Sequence, residues 1–166
     1  MRLAGIVLWP VLVLAMPFSQ QNASPQRIAD LQYFSGEWDC SGKFVRSGAN
    51  IEAHLKFESA LDQKFVLFRH DDKPPHNYHA LAEWGWDEPG KRFVSTVQDP
   101  SGGTRLFYSH GWHGEQLSWE GGAIGGDNDQ QFLFEKLSQQ QFRISYSVRK
   151  NGNWTPVDAS TCTRGS

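Results

Sequence analysis

Side chains that could bind a metal are concentrated in one short part of the sequence. The tripeptide 70–72 (HDD) is followed closely by His76 and His79. Imidazole nitrogens and carboxylate oxygens are ligands for first-row metals such as zinc. The sequence therefore offers a metal site formed by His70, His76 and His79. The alternative is a hydrated polar turn around the two prolines at 74–75.

Nucleophilic catalysis has little support in the sequence. Ser109 and His110 are adjacent, and neighbouring residues on a strand face opposite sides of the sheet, so they do not form a serine–histidine pair. The chain has no Gly-x-Ser-x-Gly motif. The glycine-rich stretch 121–127 lacks the Gly-Lys-Ser/Thr end of a phosphate-binding loop. We therefore assign no catalytic residue and favour a protein that is not an enzyme.

Most of the chain alternates between apolar and polar residues, as half-buried strands do. Residues 50–58 (NIEAHLKFE) show this pattern, and turn sequences such as 87–90 (DEPG) separate about ten similar segments. Residues 24–34 instead favour a short helix. Because closing the sheet removes two bare edges, the sequence predicts an all-β fold: an antiparallel up-and-down barrel of about 8–10 strands with a short N-terminal helix.

The two cysteines, Cys40 and Cys162, bear on how the barrel closes. One disulfide is favoured in an exported chain with two cysteines, and two free buried thiols are the alternative. If strands alternate in direction and the first pairs with the last, both cysteines lie at the same end of the barrel. A disulfide between them would then hold the closing strands together.

The first 22 residues have the features of a secretory signal peptide. Arg2 precedes the uncharged apolar run 3–16, and polar residues follow it. The run contains Pro10 and is shorter than the roughly 20 residues of a membrane helix, which disfavours an uncleaved anchor. The sequence predicts a signal peptide at 1–22 and one domain at 23–166. The protein would be periplasmic or secreted, without a stable membrane span after cleavage.

The charge of the chain gives no indication of a nucleic-acid partner. The formal net charge is −2, and basic residues never cluster beyond pairs such as those at 91–92 and 149–150. Nucleic-acid-binding surfaces need a clustered positive field, so we predict no nucleic-acid binding.

A pocket inside the barrel is the main functional prediction. The roomier connections, 72–76, 99–103 and 121–129, would all lie at the end opposite the helix, where a small apolar ligand would enter. The small side chains of Ala80 and Ala82 would leave space among aromatic residues. From the alternation of the strands we predict four lining residues: Tyr78, Trp84, Tyr108 and His110. The alternative is a filled barrel without a cavity.

The stretch 33–42 (YFSGEWDCSG) carries a Gly-x-Trp motif, Gly36 and Trp38, directly after the predicted helix. A short helix followed by this motif on the first strand of a meander barrel resembles the calycins, which include lipocalins and fatty-acid-binding proteins. The resemblance implies that Trp38 packs across the barrel floor, beneath a basic residue near the end of the last strand. Here that residue is Arg164, in a cation–π contact.

Further short motifs extend this resemblance over about residues 28–164. Their order resembles that of a bacterial calycin-like family of unknown function, and it implies a fold without an activity. The motifs are 83–87 (EWGWD), 92–96 (RFVST), Asp99, the glycine pair 102–103 and 111–112 (GW).

The nitrobindins, a neighbouring family, bind haem through a histidine late in the chain and carry Gly-x-Trp-x-Gly-x-Gly. Here Cys40 stands at the middle glycine, and no histidine follows His113. The sequence therefore departs from the haem-binding pattern at both places.

Three hypotheses remain after the sequence is read. The first is binding of a small, mostly apolar ligand without catalysis. The second is a metal- or haem-binding site at the barrel mouth, with redox or hydrolytic activity. The third is a structural envelope protein with a filled barrel. The sequence identifies no cofactor.

Overall fold

The computed structural model describes residues 28–165, which form one 3-10 helix and eleven strands. The predicted signal peptide and the start of the predicted helix lie outside these residues. No helix within 28–165 is long and apolar enough to cross a membrane. The helix is Ile28–Phe34, and the strands are β1 (Gly36–Phe44), β2 (Asn50–Ala60), β3 (Phe65–Asp72), β4 (His79–Asp87), β5 (Arg92–Gln98), β6 (Thr104–Ser109), β7 (Trp112–His113), β8 (Gln116–Ala123), β9 (Gln130–Ser138), β10 (Gln141–Lys150) and β11 (Asn153–Arg164).

Ten of these strands form a closed antiparallel ring. Strands β1 to β6 pair in order, β6 pairs with β8, and β8 to β11 continue round to β1. The two-residue β7 pairs with the start of β8 beside the ring. The predicted all-β, antiparallel up-and-down barrel is confirmed, and it fits a calycin-like fold.

The alternation along β2 determines which of its side chains fill the barrel. Ile51, Ala53, Leu55 and Phe57 are all buried, and the residues between them are more exposed. Because side chains of a strand alternate between its two faces, this row lies inside while the charged row faces solvent.

A disulfide crosses the seam where the barrel closes. Cys40 pairs with Cys162 in the register of β1 and β11, and their sulfur atoms are bonded. Both side chains are buried. The predicted disulfide and the predicted pairing of the first and last strands are therefore confirmed.

The 3-10 helix closes one end of the barrel, and Trp38 lies against it. The Trp38 indole donates a hydrogen bond to the carbonyl of Phe34 over 2.7 Å. The Arg164 guanidinium lies 4.2 Å from the centroid of the Trp38 ring and donates to the carbonyls of Tyr33 and Ser35. The contact implied by the calycin resemblance is thus present in the structure.

Gly36 lies between the helix and Trp38, at a position that needs glycine. Its φ angle is 110°, in the region that other residues rarely adopt, and a Cβ atom there would lie 3.3 Å from the Arg164 guanidinium. The glycine of the Gly-x-Trp motif therefore lets the chain turn closely beneath Arg164.

Aromatic rings fill the part of the barrel next to the helix. The Phe34 ring is fully buried, and its centroid lies 5.2 Å from those of Phe57 and Phe134 and 5.5 Å from that of Trp84. These spacings are typical of packed aromatic pairs. The helix end of the barrel is therefore a packed core, and any ligand space must lie towards the other end.

Candidate functional site

A cavity of about 460 Å³ occupies the half of the barrel opposite the helix. Trp84, Trp119 and Phe134 of the packed core form its inner end, and its wall reaches Asp72 at the end of β3 and Asp158 on β11. The wall is mainly apolar, and the volume falls in the range of roughly 300–1,000 Å³ that is usual for small-molecule pockets. The barrel is not filled, so the filled-barrel hypothesis is wrong.

The cavity exists because small inward-facing side chains lie towards the open end of the strands. On β4 the inward positions are Ala80, Ala82 and Trp84, so two methyl groups precede one large ring. On β2, Ala53 lies nearer the open end than Phe57. Large rings therefore fill one half of the barrel, and the small side chains leave the other half open.

One side of the cavity mouth is held by a network around Arg105. Its guanidinium lies 2.5 Å from the Asp99 carboxylate and donates to the Tyr78 hydroxyl over 2.7 Å. Burial alone would raise the pKa of Asp99, but hydrogen bonds from Ser101 and the charge of Arg105 hold it below its ordinary value. Burial raises the pKa of Tyr78. Arg105 is thus already paired within the wall.

Another side of the mouth carries His70, Asp72 and Asp158. The His70 Nε2 lies 2.7 Å from Asp72 Oδ1, and the Asp72 side chain is only 7% exposed. Burial raises the pKa of Asp158 to about 6, with Asp72 raising it and His70 lowering it. A carboxyl group whose charged form is disfavoured by its surroundings is frequent at functional sites.

Asp158 faces the cavity from the regular part of β11, and a β-bulge next to it adds Val157 to the wall. Tyr146 pairs with Asp158 and the next residue, Ser147, pairs with Pro156, which leaves Val157 as the extra residue. Val157 and Asp158 consequently both line the cavity, although neighbours on a regular strand would face opposite sides. Proline lacks the N–H group that a strand ladder needs, so Pro156 is compatible with this irregular position.

Two of the four predicted lining residues reach the cavity. Tyr78 lies at its mouth and Trp84 at its inner end. The structure does not bring Tyr108 and His110 there. The inward residues of β6 are Arg105 and Phe107, so Tyr108 faces outward, where the Arg92 guanidinium covers its ring at 3.7 Å.

The structure thus corrects the predicted inward orientation of Tyr108 and His110 within residues 104–112. The strand ends at Ser109, and His110 is exposed in the connection that follows. Because Arg105 is polar and yet faces inward, the alternation along β6 indicated that the opposite face of the strand was buried. Sequence reasoning also missed Asp158, although alternation from Cys162 through Ser160 places it on the inward face of β11.

The structure does not bring the three histidines of the predicted metal site together. His70 faces the cavity, whereas His79 pairs with Asp71 on the outer face, with Nδ1 2.8 Å from Oδ1. His76 Nε2 lies 3.0 Å from the carbonyl of Asn50. In the described part of the chain, no group of three or more His, Cys, Asp and Glu side chains could hold a metal ion. The predicted metal site is therefore wrong as a joint site of the three histidines.

The comparisons with known proteins give no family for this chain. No family profile matches it, and no curated protein matches it. A solved structure described as EF1p2_mFAP2b bound to DFHBI is similar, with 12% sequence identity and a TM-score of 0.44. That similarity covers 84% of this chain and 100% of the other. The fold assignment therefore rests on the strand pairings of the protein itself.

Proposed function

We propose that this protein binds a small, mostly apolar molecule in the barrel cavity, without catalysis. The observation that carries the proposal is the cavity of about 460 Å³ with a mainly apolar wall. Burial of apolar ligand surface supplies the free energy, at roughly 0.8 kcal/mol for each buried CH₂ group. The polar groups at the mouth, including Tyr78 and Arg105, would orient the ligand.

We also propose an exported location and a relationship to the bacterial calycin-like family of unknown function. The protein would consist of a cleaved signal peptide at 1–22 and one domain at 23–166, located in the periplasm or outside the cell. The disulfide between Cys40 and Cys162 supports this location, because disulfides persist mainly in oxidising compartments. The Gly36 and Trp38 motif beneath Arg164 supports the family.

Titration calorimetry with 1-decanol, a neutral apolar probe, tests the proposed binding. Burying most of a ten-carbon chain, less the entropic cost of association, gives an expected dissociation constant on the order of 10 µM with one molecule bound per barrel. Absence of heat and of any saturable binding up to the solubility limit of the probe would contradict the proposal.

Two variants of β4 locate the binding inside the barrel. Ala80→Phe places a ring in the cavity and should weaken binding by about tenfold or more, because the ring and the probe compete for one volume. Leu81→Phe is the matched control, since Leu81 is the next residue and is 47% exposed on the outer face. Equal affinities of both variants would place the probe somewhere other than the cavity. Circular dichroism and thermal unfolding establish that both variants fold.

A further inference from the structure

The one arginine among the residues that line the cavity is not free to bind an anion. The Arg105 guanidinium is paired with the Asp99 carboxylate and donates to the Tyr78 hydroxyl. Both side chains of this ion pair are largely buried, at 20% and 8% exposure. Because Asp99 offsets the charge of Arg105 within this pair, an anionic ligand would have to compete with Asp99 for the guanidinium.

Two further carboxyl groups, those of Asp72 and Asp158, face the cavity, and one imidazole, that of His70, lies beside them. Asp72 is hydrogen-bonded to His70, and Asp158 is influenced by the charges of His70 and Asp72 and by a backbone hydrogen bond from Tyr146. The ion pair of Arg105 and Asp99 contributes no net charge. His70 can contribute at most one positive charge, so the wall is net negative whenever both carboxyl groups are ionised.

The position of Asp158 fits contact with a ligand rather than with the protein. It faces a mainly apolar cavity on the same side of β11 as Ser160, and the bulged residue Val157 lines the same space. Partial burial in this wall disfavours the charged form of Asp158, and a cation brought by a ligand would offset that cost. The apolar body of the same ligand would occupy the space left by Ala80 and Ala82.

We infer that the ligand carries a protonated amine on an apolar body, with the amine at Asp158 and Asp72 and the body in the cavity. This inference rests on the proposed binding function and identifies the chemical class of its ligand. The cavity wall thereby excludes fatty acids and favours cationic amphiphiles, because like charges at the mouth repel a carboxylate.

Binding of such a ligand depends on pH through the groups around Asp158. As pH falls through about 6, Asp158 takes up a proton and its attraction for the amine is lost. The titratable and charged groups that surround Asp158 and its neighbour Tyr146 are His70 and Asp72 on β3, Tyr78 before β4, Arg105 on β6 and Asp129 before β9.

Three probes with the same ten-carbon chain test the inference by calorimetry at pH 7.5. They are decylamine, 1-decanol and decanoate, which differ in the charge of the head group. A hydrogen bond to a charged partner corresponds to about a tenfold or larger change in the dissociation constant. We expect decylamine to bind at least tenfold more tightly than 1-decanol, and decanoate to bind most weakly.

The outcomes separate the inference from the proposed function. Equal affinity for decylamine and 1-decanol, or tightest binding of decanoate, would overturn the inference and leave apolar binding in place. Binding of none of the three probes would overturn both.

Asp158→Asn tests whether Asp158 provides the preference for an amine. The variant should bind decylamine and 1-decanol within about threefold of each other, because the carboxylate is replaced by a neutral amide of similar shape. Asp62→Asn is the matched control, since Asp62 is exposed in the turn at the helix end of the barrel, and it should keep the full preference. A preference that survives in Asp158→Asn would overturn the assignment.

The same titrations at pH 5.0 provide an independent readout. In the wild-type protein the preference for decylamine over 1-decanol should fall several-fold, while 1-decanol affinity changes little, since its hydroxyl is neutral at both pH values. In Asp158→Asn the preference should vary less with pH than in the wild type. An amine preference that is the same at pH 5.0 and 7.5 in the wild type would contradict the role of Asp158.

Discussion

The stability of the Asp158→Asn variant is the prediction that tests the site most quantitatively without a ligand. Burial raises the pKa of Asp158 to about 6, from an ordinary value of 3.8. Each pKa unit corresponds to about 1.36 kcal/mol, so ionising this carboxyl group in the folded protein costs up to about 3 kcal/mol. Asparagine keeps the shape and cannot ionise, and we expect the variant to be more stable than the wild type at pH 7.5.

The sign of the pH dependence follows from the raised pKa. Between pH 3.8 and about 6 the folded protein holds a proton on Asp158 that the unfolded chain has lost. The contribution of this group to stability is therefore fully present below pH 3.8 and is lost as the pH rises through about 6. The advantage of Asp158→Asn should consequently be small at pH 3.5 and approach its full value at pH 7.5.

Urea unfolding of the wild type and of Asp158→Asn at both pH values measures this difference. The difference between the two proteins, taken at each pH, removes the contributions of other titrating groups such as Asp39 and Asp99, whose pKa values are lowered. Asp62→Asn should show no such pH-dependent difference from the wild type. A variant that is less stable than the wild type at pH 7.5, or a difference independent of pH, would refute the burial of Asp158 in the cavity wall.

Two further predictions concern the seam and the floor of the barrel. The bond between Cys40 and Cys162 closes a loop of 122 residues, and its reduction should lower the free energy of unfolding by about 4–5 kcal/mol. Urea unfolding with and without reductant measures this loss, and an unchanged midpoint would contradict the prediction. Arg164→Leu should lower the free energy of unfolding by about 2–3 kcal/mol, because two hydrogen bonds to carbonyl groups and the contact with Trp38 are lost. Arg164→Lys should recover part of this loss. Equal stabilities of the two variants would show that the positive charge is unimportant.

The barrel could be predicted from the sequence because its signals are local and repeated. Alternation along residues 50–58 places Ile51 and Phe57 on one face whatever the neighbouring strands are. Closure of the sheet into a ring could be predicted because an open sheet would leave the backbone groups of two edge strands unpaired. The two cysteines then needed only the alternating strand directions to be placed together.

The cavity wall was less accessible to sequence reasoning, for two physical reasons. Arg105 faces inward because its charge is paired with Asp99, which lies in a separate loop. The local alternation of polar and apolar residues does not reveal this partner. The bulge at Val157 adds an inward-facing residue directly beside Asp158, which alternation cannot anticipate. The histidines at 70 and 79 lie in adjacent strands, yet their side chains face opposite sides of the sheet.

The most direct test of ligand binding in the cavity is an isotope-filtered NMR experiment on the labelled protein with unlabelled 1-decanol. If the probe binds in the cavity, its alkyl chain should give nuclear Overhauser contacts to the methyl groups of Ala80 and Ala82 and to the ring of Trp84. Contacts confined to outward-facing residues such as Leu81 and Tyr108, or no contacts at saturating probe, would contradict it.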